Sequence, residues 1–204
     1  MHTRRAAGVA LSTYGVATFL AFSNNAPGGD YQDSAVTGFI SATHMWTAFA
    51  LAYLGIAGAL AVLVFGSRMR REGGDLVWGL AVAGTATSLV GWFLTGGLAT
   101  AMAEGGAPVR DAIAHPVVYT ISEIGNLLAV CSPALCVGVI AIVLAVRTPM
   151  PAWLRAFSVV AGVCGILAPF FFTYLVFVLW TLVAGVAFAA SRQPASAPAA
   201  ESLV

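Results

Sequence analysis

The stretch YTISEIGN, residues 119–126, places Glu123 inside a run that is otherwise almost continuously apolar from 116 to 146. A carboxylate there either works within a membrane or marks the wet end of a helix. Its polar company is periodic: Tyr119, Ser122, Glu123 and Asn126 recur at threes and fours, which gathers them on one helical face. A second stripe, Ser41, His44 and Thr47, recurs at threes, and a third apolar run brings Trp92, Thr95 and Thr100 toward the same side. A contact between Glu123 and His44 would raise the histidine pKa and lower that of the carboxylate if both ionise together.

Depth separates a proton path from a mouth. Glu123 lies 24 residues before Arg147, and His44 lies 24 residues before Arg68. At about 1.5 Å per residue and an average tilt near 20°, each side chain sits about 34 Å above its arginine. The hydrocarbon core is about 30 Å thick, so both groups fall at its outer edge, where Trp and Tyr are also enriched. An outward-facing polar vestibule would collect Glu123, His44, Tyr119, Asn126, Ser122, Thr47 and Trp92, provided the stripes face one another.

Other chemistry lacks its residues. Haem ligation needs axial ligands at matching depth, whereas His44 and His115 differ by about eight residues, or about 12 Å. His44 with Met102 has no motif behind it. No HExxH, G-x-S-x-G, Walker A or dinucleotide fingerprint occurs. No metal site, cofactor or catalytic residue is assigned, and any enzymatic step would have to be built around Glu123. Cys131 and Cys136 point about 140° apart on a helix, so the three cysteines, with Cys164, read as packing residues.

These candidates are carried by a chain of 204 residues that is 60% hydrophobic and only 8% charged. A soluble domain averages about 25% charged, so this composition belongs in a bilayer. A net charge of +1 offers no polyanion-binding surface, which excludes nucleic acid as a partner. The absence of Lys, with abundant Ala, Gly and Val, suits a high-GC bacterial gene. The expected fold is therefore all-α: an integral membrane bundle of six transmembrane helices, a single domain over residues 1–192.

The spans are expected at 6–22, 39–65, 76–102 and 117–146, with two more sharing 156–190. Thirty-five helical residues reach about 52 Å, while two full crossings need about 60 Å, so the last two form a short hairpin. Its turn is expected at 168–174, where Pro169 breaks the helix. Arg4, Arg5, Arg68, Arg70, Arg71, Arg147, Arg155 and Arg192 then fall on one side, leaving Arg110 on the other with Asp30, Asp33, Glu104 and Asp111. The positive-inside rule makes that first side, and both termini, cytoplasmic, in a bacterial plasma (inner) membrane. The alternative for the first run is a signal peptide, which would leave five spans; no small-x-small site follows it cleanly. Residues 23–38 are expected as the main outer connection, and 193–204 as a disordered cytoplasmic tail.

Below the outer edge, from Gly55 to Gly66 and from Leu127 to Val146, only Ser132 interrupts apolar side chains. Coupled transporters usually carry ionisable groups deeper than that, which weakens a transport reading. Small-xxx-small pairs, Gly84 with Ser88 and Ala161 with Gly165, support tight helix packing. The endings VLVFGSR and AIVLAVR, each followed by a Trp, form a faint parallel repeat.

The last third, RTPMPAWLRAFSVVAGVCGILAP through LWTLVAGVAFAASR, resembles the ending of a broad group of actinobacterial six-span membrane proteins of unknown function. Trp153, Leu154, Gly162, Gly165 and Arg192 carry the likeness over about 45 residues, with Ala152 between Pro151 and Trp153 as the departure. The resemblance implies a six-span fold and supplies no activity. Three functions are left: a binding module for a small solute, lipid or quinone; a non-catalytic accessory subunit in contact with a membrane-protein partner or a second copy; and a small-solute transporter.

Overall fold

A computed structural model of the protein describes the backbone of residues 2–24 and 27–191, and the side chains of these except 2, 3, 24, 42–45 and 171. Arg192 and the expected tail at 193–204 lie outside the described residues. The described chain is helical throughout: α1 (His2–Asn24), α2 (Asp33–Phe39), α3 (Ala42–Gly73), α4 (Asp75–Arg110), α5 (His115–Asn126), a π-helical turn (Leu127–Cys131), α6 (Ser132–Arg147), α7 (Ala152–Ile166) and α8 (Phe171–Ala190).

Five stretches are long and apolar enough to cross a membrane: Arg4–Ser23, Trp46–Gly73, Asp75–Arg110, His115–Arg147 and Phe172–Ala190. The apolar helix Ala152–Ile166 is shorter, at 15 residues or about 22 Å. Around the bundle, α1 packs on α3, α3 on α4, α4 on α6, α6 on α7 and α7 on α8, which returns to α1. The break between the last two helices falls at Leu167–Phe170 and contains Pro169, one residue earlier than expected.

Close approach of helices with apolar surroundings rests on small residues, because lipid tails compete with apolar side chains. Gly138 of α6 meets Gly162 of α7 so closely that an added Cβ would lie 2.6 Å from the Gly162 carbonyl oxygen. Gly91 of α4 lies against the backbone of Gly125 and Ala129 in the same way. Buried hydroxyls serve the backbone. Pro133 has no N–H to give the Ala129 carbonyl one turn back, and Ser88 from α4 donates to that oxygen at 2.7 Å. The π-helical turn at 127–131 ends two residues before this proline.

Arginines of α1, α3 and α6 gather at one end, whereas Arg110 closes α4 at the other. Arg4 forms a two-pronged pair with Glu72 at 2.8 and 3.0 Å, Arg70 pairs with Asp75 at 2.6 Å, and Arg147 donates to the Gly73 carbonyl at 2.8 Å. The start of α1 and the ends of α3 and α6 are thereby tied together. At the opposite end, the connection expected to be irregular contains α2, whose Val36 and Phe39 are buried against α3, α4 and α5 side chains including Leu98, Met102 and Val118.

Candidate functional site

The α5 face that carries Glu123 does not stop at Asn126. Spaced at threes and fours, positions 123, 126, 127, 130 and 131 share one helical face and form one wall of a cavity of about 340 Å³. Phe22 at the end of α1 and the loop glycines Gly28 and Gly29 form a second wall. Ala168, Pro169 and Tyr174, from the turn between α7 and α8 and the start of α8, complete it. π turns within helices concentrate at functional sites, and here the turn supplies three of the lining residues.

A glycine closes the rim. The Gly29 N–H donates to Glu123 Oε2 at 3.2 Å, and the Tyr119 hydroxyl donates to the Gly29 carbonyl. Gly29 has φ 75°, in the left-handed region that favours glycine, so the loop can present both its backbone groups to α5 at once. Tyr31 stacks edge-on against Tyr119, with ring centroids 5.3 Å apart. Beside this, His115 Nδ1 donates to Asp33 Oδ1 at 2.6 Å, and the Tyr31 hydroxyl donates to the same carboxylate oxygen at 3.0 Å. These two hydrogen bonds, that from His115 first, hold the Asp33 carboxyl below its ordinary pKa.

Toward the arginine end the cavity gives way to packed aromatic rings. Tyr174 lies 6.3 Å from Phe177, Phe177 meets Tyr14 edge-on at 6.3 Å and stacks on Trp180 at 6.0 Å. Trp180 Nε1 donates to Ser158 Oγ of α7 at 2.9 Å, a buried bond that fixes α8 on α7.

The sequence-expected residues separate into groups. Glu123 and Asn126 line the cavity together, and Tyr119 reaches its rim through Gly29. Ser122 is fully buried, outside the lining, with its hydroxyl unpartnered among the described residues. Trp92 is also fully buried and lies flat against Gly55, between α3 and α4. Thr47 is exposed on α3 and does not line the cavity. His44 lies at the arginine-poor end of α3, and its side chain is outside the described residues. Phe22, Gly29, Cys131 and Tyr174 were not anticipated. Cys131 carried a faint signal, eight positions after Glu123 on the same helical face, while Tyr174 belongs to a distant segment.

Comparison with protein-family models, with curated proteins and with solved structures gives no match to this chain.

Proposed function

We propose that the protein is a multi-pass protein of the bacterial plasma membrane that holds a small amphipathic molecule in this cavity, opening to the outer face. The observation that carries the reading is the composition of the lining: one carboxylate and one amide, Glu123 and Asn126, on a wall that is otherwise apolar. Concave, mostly apolar pockets with a few convergent polar groups are the usual form of small-molecule sites. A short α7 in a locally thinned bilayer makes the sixth span, and the arginine-rich end faces the cytoplasm together with both termini. The dense aromatic packing beneath Tyr174 supports holding over passage.

The reading is tested by native mass spectrometry of gently purified protein beside a Cys131→Phe variant, whose larger side chain intrudes into the cavity. A bound small molecule on the original chain, lost from the folded variant, is the expected result. A chain that carries nothing and takes up nothing from a lipid extract overturns it. Single cysteines at positions 33 and 70 test the orientation: an impermeant thiol reagent added outside labels the first and spares the second.

A second reading, an accessory subunit, is favoured by a different feature. Trp46, Phe49 and Tyr53 form an exposed row on α3, with successive ring centroids 6.5 and 5.0 Å apart, and Phe93 of α4 is exposed nearby. A photo-crosslinker at position 53 that captures one stoichiometric membrane partner would establish it.

A further inference from the structure

We propose that the cavity selects cationic amphiphiles, molecules with a small ammonium head on an apolar body, over neutral and anionic ones. This rests on the binding reading above and adds the sign of the ligand's charge. Its basis is an asymmetry of charge at the site. Among the described lining residues Glu123 is the single ionisable acid of carboxylate type, and no Arg or His stands with it; the chain has no Lys to supply one.

The carboxylate is half-buried and only partly engaged. Oε2 accepts the Gly29 N–H at 3.2 Å, while Oε1 receives no donor among the described residues. An ammonium head carries donors and positive charge, so it can take Oε1 and leave the Gly29 contact in place. The other walls suit the same ligand. Phe22 and Tyr174 meet edge to face, with ring centroids 5.9 Å apart, and present aromatic surface on which a cation is attracted by the ring quadrupole. Leu127, Val130 and Ala168 give the apolar body its contact. An anionic head would be brought beside Glu123 in surroundings that screen charge poorly, with no base in the lining to offset the repulsion. A neutral head can still donate to the carboxylate but forgoes the attraction between opposite charges.

A matched set of probes with one tail and three heads tests the charge: octylammonium, octanol and octanoate, at neutral pH. Equilibrium dialysis of the full chain in uncharged detergent micelles, with protein-free micelles as the reference, reads retention by the protein. Octylammonium is expected to bind at least tenfold more tightly than either other probe. Glu123→Gln, which keeps an acceptor for Gly29, should bring the amine down to the level of octanol, and Glu123→Asp should keep the preference. If all three probes bind equally, or if the folded Glu123→Gln protein keeps the amine preference, charge selection is wrong while the binding reading stands. If no probe is retained above the micelle reference, both fall. The ranking on the unaltered chain decides the matter even where a variant does not fold.

Discussion

The half of the bundle nearer the arginines and the half that carries the cavity are held together by different means. In the first, helices touch backbone to backbone at Gly138 and Gly162, as they also do at Gly91 and Gly125 beside the cavity. In this first half, however, Ser158 also receives the Trp180 indole N–H across helices, and charged side chains clip the helix ends. In the second, a short helix and a loop lie over the bundle, held by the buried Val36 and Phe39 and by single polar contacts to Tyr119, Glu123 and His115. The contrast separates rigidity from function: the closely packed half fixes the helices, and the lightly fastened half leaves room for a ligand. Disturbing the first should therefore cost folding, and disturbing the second should change binding and local opening with little loss of global stability.

The largest effect is expected from Gly138→Val. Its Cβ would press on the Gly162 carbonyl oxygen, a backbone atom that cannot rotate away, so α6 and α7 must separate. Overpacking typically costs about 1–3 kcal/mol, and an obstacle that is backbone puts this one at the upper end. Denaturant unfolding in micelles, followed by helical circular dichroism, should show the loss, and an unchanged midpoint would mean that the helices do not meet there. Ser158→Ala comes next. It leaves the Trp180 indole N–H buried without its partner, a cost of about 1–2 kcal/mol, since buried donors inside the protein cannot turn to lipid. A shift in the unfolding midpoint, rescued by Ser158→Thr, checks that the hydroxyl and not the side-chain volume is responsible.

How much of this was written in the residues differs between the two halves in the same way. Apolar runs and arginine positions mark the long helices well, because span length and charge asymmetry are properties of local sequence. Pro169 likewise marks the break before α8. The short helix α2 was readable in principle: Val36, Phe39 and Ile40 stand three and four apart, but the surrounding turn formers outweighed them. At the site, the stripe of Glu123 and Asn126 was legible by period alone. The same face continues as Leu127, Val130 and Cys131, which carry no polar mark to distinguish lining from lipid contact. Trp92 was assigned to the vestibule by depth, but depth does not say which way a side chain faces, and the ring turns to Gly55 instead. Phe22, Gly29 and Tyr174 join Glu123 only through the order of helices around the ring, which no local pattern encodes.

In the cavity half, Gly29→Ala should leave the global unfolding midpoint nearly unchanged. A residue with a Cβ at φ 75° costs about 1 kcal/mol, and the loop can relieve that strain by leaving Glu123 and Tyr119. Hydrogen exchange of residues 28–31 should accelerate several-fold, and retention of an amphiphile in the cavity should fall with it. Faster exchange without any change in retention would mean that the loop covers the rim but contributes nothing to holding a ligand.

The smallest effect is a pH dependence confined to the same end. Asp33 has its folded pKa lowered, mainly by the His115 hydrogen bond and next by that of Tyr31. A group with a depressed folded pKa contributes stability that is present above its unfolded value, about 3.9, and is lost as pH falls through the folded value. The docking of α2 on α5 should therefore hold at pH 5 and weaken progressively below about pH 4. Because Asp33 is exposed, solvent screens the pair and the change stays local. Hydrogen exchange of residues 33–40 in wild type and Asp33→Asn gives the reading: the variant should exchange at the low-pH rate throughout. If wild-type exchange, corrected for its intrinsic pH dependence, is flat from pH 5 to 3, the carboxylate does not hold α2, and burial of Val36 and Phe39 alone keeps it in place.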